Sequence, residues 1–220
     1  MSGEARPTGL QRGLEAWPEI TSTLAKFDKL RAQEQRIIEK YDGDELAAYS
    51  ELEPIGIAMV DHMQPDLEAA FKPCLREFAA THILCAASLE SHINARAHGM
   101  LRGQVLDHFD KLSLEAKWLF LPRLTGHTIF DPGAEPFQSF SQLTKRRNLL
   151  VHFKPRRTEL EIGKIPEFVG KLGLTRKTAE AVIPTTKAMI EELCRGLGES
   201  APEWLTKTPF DYFEFQIELR

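Results

Sequence analysis

The longest run of helical hydrophobic spacing begins at Pro65. Leu67, Phe71, Leu75, Phe78, His82, Cys85, Leu89, Ile93 and Ala97 step by three or four residues, which places them along one face of a helix reaching about Leu101. Its Ala-rich middle, AATHILCAASL, is apolar on most sides and predicts a central helix of a bundle. Pro73 predicts a kink or a join, and Gly99 and Gly103 an end. An earlier stripe, Ile20, Leu24, Phe27, Leu30, Ile37 and Ile38, predicts an amphipathic outer helix from Pro18, a residue suited to a first helical turn, to about Tyr41. Asp42-Gly43-Asp44 breaks it. Glu45 to Leu52 reads as a short helix, ended by Pro54-Ile55-Gly56.

Ser113 is a suitable N-cap for a helix over Leu114 to Leu121. Pro122 to Pro136 holds two Gly and three Pro and reads as a loop, after which Phe137 to about Phe153 is helical and Pro155 a stop. Ile165-Pro166 to Leu172 and Thr175 to Leu197 read as helices, with Pro184 interrupting the second. Thr158–Ile162 (TELEI) and Phe213–Leu219 (FEFQIEL) alternate apolar and polar residues and suit one short two-stranded ladder. The expected fold is mainly α: a four-helix-type bundle with an extra N-terminal helix and room for that β pair. The expected organisation is a flexible N-terminus (1–16), a helical extension (17–64), a main helical domain (65–198) and a tail (199–220) whose Trp204, Phe210, Tyr212, Phe213 and Phe215 dock on the bundle.

Composition changes this picture little. With 220 residues, 42% hydrophobic and 27% charged, the chain suits one globular domain with an appendage. No run approaches the roughly 18 apolar residues of a membrane span. MSGEARPTGLQRG has no apolar signal core, so the expected location is the cytoplasm, with no membrane partner. Cys74, Cys85 and Cys194 are odd in number and widely spaced, and read as small buried apolar residues. His62, His82, His92, His98, His108 and His127 have no metal-ligand spacing, and no Gly-rich phosphate loop, HExxH or GxSxG motif occurs. No metal or cofactor is expected.

Charge changes it more. Ten basic residues lie between Lys145 and Lys177 against three acidic ones, a window of +7 on a chain of net charge −4, so the remainder carries −11. A basic segment on an acidic protein suits an anionic partner such as nucleic acid; it equally suits a solvated face.

The densest chemistry lies in Phe140–Pro155, FSQLTKRRNLLVHFKP. On a helix, Phe140, Leu143, Thr144, Arg147 and Val151 fall within roughly 100° of one another, so Arg147 sits in the apolar stripe while Arg146 points away. An arginine there needs a partner. Either it pairs inside the bundle, for instance with Glu90, or the stripe faces a cleft or second subunit and Arg147 waits for an anion. Asn148 and His152 are four apart, and His152 lies at the helix end. Arginine and histidine without clustered carboxylates suit metal-free phosphodiester cleavage. One imidazole takes the ribose 2′-OH proton, a second group protonates the leaving 5′-oxygen, and arginine offsets the charge building on phosphorus. One motif holds one histidine, so a symmetric dimer would supply the second.

RNLLVH (Arg147–His152) resembles the Arg-x4–6-His motif of the HEPN superfamily in its Arg-Asn-x3-His form. SLESHINARA (Ser88–Ala97) is similar to the early HEPN helix, and LEAKWLFLPRLTG (Leu114–Gly126) to the middle helix and the loop before the motif. The resemblance covers roughly residues 65–198. It implies an all-α domain that dimerises through its motif helices. It also implies a metal-independent endoribonuclease leaving 2′,3′-cyclic phosphate and 5′-hydroxyl ends, in toxin–antitoxin or phage-defence systems. On this likeness Arg147 binds the scissile phosphate, His152 is the acid/base group and Asn148 orients one of them. Glu90 and Asn94 support Arg147, and Lys145, Arg146, Lys154, Arg156 and Arg157 bind RNA. The expected partners are RNA, a second copy and an antitoxin or defence protein. Lys154 occupies the place where some relatives carry a tyrosine modified by a nucleotidyltransferase antitoxin, which argues against that form of neutralisation. The competing function is a non-catalytic HEPN-like module that binds nucleic acid or protein. A second competitor is a helix-turn-helix over Leu172–Val182, with Thr175, Arg176 and Lys177 meeting DNA.

Overall fold

The computed structural model describes residues 8–153 and 161–205. These form eight α-helices: α1 (Gly9–Lys40), α2 (Glu45–Ile57), α3 (Gln64–Met100), α4 (Gln104–Asp110), α5 (Leu114–Leu124), α6 (Phe137–Val151), α7 (Glu167–Lys171) and α8 (Arg176–Gly196). Among the described residues there is no strand. The expected ladder falls almost wholly outside them, and of its residues Glu161 and Ile162 lead into a turn. No helix among the described residues is long and apolar enough to cross a membrane.

The chain divides into two compact units, the first of Met1–Thr81 with Leu149–Glu180 and the second of His82–Asn148 with Ala181–Arg220. Residues 64 and 65, the expected border of the N-terminal extension, lie at the start of α3 within the first unit.

In the first unit, Ile20, Phe27, Ile37, Ala48, Ile55, Met59, Leu67, Cys74, Phe78, Val169, Leu172, Leu174 and Ala179 form one buried cluster. Each large apolar side chain there contributes roughly 1.5–3 kcal/mol by leaving water. Helix α1 starts well before Pro18, so much of the expected flexible N-terminus is helical. Thr8 caps it, its hydroxyl accepting from the Gln11 amide at 3.3 Å, and the buried Gly13 lies against the Phe78 ring. The Asp42-Gly43-Asp44 break is present, with φ of 53° and 84° at its first two residues and Asp44 capping α2 through the amides of Leu46 and Ala47.

Pro54-Ile55-Gly56 ends nothing. Helix α2 passes through a π-helical turn, Ala58–Met63, directly into α3. The wide turn shifts the phase so that Ile55, Met59 and Leu67 all reach the core, and this burial offsets the backbone bond that Pro54 removes. Pro18, expected in a first helical turn, and Pro122, expected to open a loop, also sit inside helices, as do Pro73, where a kink or join was expected, and Pro184, where an interruption was expected.

In the second unit, Leu89, Ile93, Trp118, Leu121, Phe137, Phe140, Leu143, Met189, Ile190 and Leu193 belong to a separate buried cluster drawn from α3, α5, α6 and α8. Ser113 caps α5 as expected, accepting from the Ala116 amide. The Ala-rich stretch of α3 is a wall rather than a centre, because Leu84 is 65% and Ile83 38% exposed.

His92 stacks on Trp118 with ring centroids 6.2 Å apart and meets Trp204 edge-on. Burial, reinforced by the Arg96 guanidinium, lowers its pKa from the ordinary 6.5. The unfolded chain therefore takes up a proton that the folded chain refuses. This contribution to stability is full above 6.5 and is lost as pH falls through the folded value. Between about pH 7.5 and pH 5 the wild-type melting temperature should fall more than that of His92→Phe, and parallel melting curves for the two proteins would rule this out.

Candidate active site

Helix α6 forms because Phe137, Phe140, Leu143 and Thr144 repeat at helical spacing and are all buried in the second unit. Ser141, on the same helix, donates to Glu115 Oε1 of α5 at 2.6 Å. One turn beyond Thr144 the stripe reaches Arg147, and there burial begins to fail. The Arg147 side chain is 24% exposed, and its Nη2 donates to Glu90 Oε2 of α3 at 3.0 Å. Of the two outcomes open to this arginine, the chain by itself adopts the internal ion pair. The pair is open to water, and no other described residue bonds the guanidinium, so further N–H donors remain for an anion.

Beyond Arg147 only Leu150 of this helix stays partly buried, packed against the core cluster of the first unit. Asn148 and His152 are exposed, and neither side chain makes a hydrogen bond to another described residue. Leu149 is 51% and Val151 55% exposed, so the apolar stripe that is buried at Phe140 ends in solvent. Phe153 is exposed as well, although its ring stands 5.8 Å from Phe168.

Lys145 is exposed. Arg146, expected to point away from the core, is half-buried, and desolvation lowers its pKa below the ordinary guanidinium value. It has no ion pair with a described residue, which makes it a second unneutralised cation on this helix. Lys154, Arg156 and Arg157 lie outside the described residues.

Asn94 stands one turn after Glu90 on α3, and its Oδ1 accepts from Lys117 Nζ of α5 at 3.0 Å. Glu90–Arg147 and Asn94–Lys117 are thus neighbouring polar contacts, the first joining α3 to α6 and the second α3 to α5. Lys117 was passed over in the sequence, yet a signal existed. It shares helical register with Leu114, Trp118 and Leu121, and a charge inside an apolar stripe is what singled out Arg147.

Among the described residues no group of three His, Cys, Asp or Glu side chains could hold a metal ion. In the helix-turn-helix candidate, Gly173 does turn the chain at φ 69°, but Arg176 is engaged by Glu180 at 2.7 Å. Leu172, Leu174 and Ala179 from this stretch are committed to the core of the first unit.

No protein-family model, curated protein or solved structure matches the chain.

Proposed function

We propose that the protein is a metal-independent endoribonuclease of HEPN type, with its active site completed by a second copy of the chain. Arg147, Asn148 and His152 stand in one six-residue stretch at the emerging end of an apolar helix. The observation that carries the reading is the exposure at this end, where Asn148 and His152 are accessible beside the solvent-facing Leu149 and Val151. Apolar side chains in such a place support a covered surface, and the chemistry needs a second proton-transfer group.

In the proposed reaction His152 removes the proton from a ribose 2′-OH. The 2′-oxygen attacks phosphorus, and the P–O5′ bond breaks as the partner's His152 protonates the leaving oxygen. Arg147 donates to the phosphoryl oxygens as charge builds. The products are a 2′,3′-cyclic phosphate and a 5′-hydroxyl. Lys145 and Arg146, with Lys154, Arg156 and Arg157, would track the RNA backbone, and the cellular setting would be toxin–antitoxin or phage defence.

The wild-type chain should cleave single-stranded RNA in EDTA and leave cyclic-phosphate ends, and Arg147→Ala should be slower by about 10²–10³-fold. Equal rates for the two proteins, or a chain that is monomeric while cleaving, would remove the composite site. The alternative, a non-catalytic module that binds nucleic acid or a partner protein, is favoured by the engagement of Arg147 with Glu90, and it predicts no cleavage.

A further inference from the structure

Lys117 is only 4% exposed and lies inside the apolar register of α5. Its nitrogen stands 5.8 Å from the Phe109 ring centre and bonds Asn94 Oδ1, and no described carboxylate forms an ion pair with it. A lone ammonium at that depth is costly, and replacing it by an apolar side chain of similar size is typically neutral or stabilising. Stability alone therefore does not account for a lysine here.

Its effect on Asn94 does. An ammonium has three donors and no acceptor, so the amide atom facing it has to be the oxygen. The amide is planar, and Nδ2 with its two N–H groups is thereby turned to the opposite edge. Asn94 is half-buried, and those N–H groups meet no described acceptor. One turn back along α3, about 6 Å, Glu90 holds the partly exposed Arg147. Two sets of hydrogen-bond donors are thus held from neighbouring turns of α3 in the second unit, the charged guanidinium by Glu90 and the neutral amide by Lys117, which its N–H groups face away from.

We infer that Asn94 is an anion-binding residue that acts beside Arg147 on the RNA phosphodiester, and that Lys117 is the positioning residue that fixes its amide. The inference rests on the ribonuclease reading and extends it. Asn94 contacts substrate rather than merely bracing Arg147, and Lys117 acts only through Asn94.

The test uses the full chain and a fluorescent single-stranded 2′-O-methyl RNA, which lacks the attacking hydroxyl and so reports binding alone. Asn94→Asp gives Lys117 a carboxylate partner and should melt no lower than wild type, yet it replaces both N–H donors by an acceptor and should bind about tenfold more weakly. Ser91→Asp adds the same charge at an exposed position of the same helix and should bind within about twofold of wild type. Lys117→Met removes the lone buried charge without a cavity, so it should fold, and it should bind a few-fold more weakly because Asn94 is freed to rotate.

Wild-type affinity in Asn94→Asp, or a loss matched by Ser91→Asp, overturns the role of Asn94. Wild-type affinity in Lys117→Met overturns that of Lys117. Arg147→Ala separates these failures from failure of the ribonuclease reading. If it binds weakly while Asn94→Asp binds fully, only the present inference falls. If wild type does not bind the RNA at all, both fall together.

Discussion

His152→Ala should cleave single-stranded RNA about 10²–10⁴-fold more slowly than wild type, the range over which a positioned acid or base usually contributes. The expectation is sharp because the residue has little other work in the fold. His152 is exposed just past the end of α6, and its side chain makes no hydrogen bond to another described residue. Its loss should leave the melting temperature within about a degree of wild type, as for most exposed substitutions. Binding of the 2′-O-methyl RNA should also change little, because the imidazole moves protons rather than neutralising phosphate. Initial rates in EDTA, with the cyclic-phosphate product quantified, provide the measurement. A His152→Ala protein that cleaves at the wild-type rate would end the ribonuclease proposal, whatever Arg147 does.

The largest expected effect on folding lies in the first unit, at Gly163. This residue has φ 63°, is buried, and donates its amide to Gln64 Oε1 at 3.0 Å. A Cβ added there would stand 2.2 Å from the Phe27 ring, and Phe27 is itself fully buried in the core. The neighbouring Ile162 carbonyl accepts from Arg31, so one bond holds the turn to α1 and the other to the start of α3. Gly163→Ala combines a left-handed backbone with overpacking and should cost roughly 2–5 kcal/mol. Gly170→Ala is the control, since a Cβ there meets nothing within 4 Å. Urea unfolding should show a clear drop in midpoint for the first variant and little change for the second. Equal midpoints would mean that the turn does not hold the unit together.

Much of the site was legible because its residues break a local pattern. Arg147 is a charge in an apolar helical stripe, and that alone required a partner; Glu90, 57 residues earlier, is the partner found. The same rule would have exposed Lys117. The proline positions misled for the opposite reason. Pro18, Pro54, Pro122 and Pro184, expected to start, end or interrupt helices, all sit inside them. A proline's cost is local and about 3 kcal/mol. The burial of neighbours such as Ile20, Ile55, Leu121 and Val182 offsets it only once the partner helices are present.

Helical character, the cap at Ser113, the break at Asp42-Gly43-Asp44 and the anomalous Arg147 were therefore determined by the sequence alone, since each depends on residues within a few positions of one another. The tertiary structure decided the rest. It divided the helices between two cores, carried α2 into α3, paired Arg147 with Glu90 and Asn94 with Lys117, and left Val151 in solvent while Phe140 was buried. Periodicity says which side chains share a face. What that face meets depends on residues distant in the chain, as with the 99 positions separating Gly163 from Gln64.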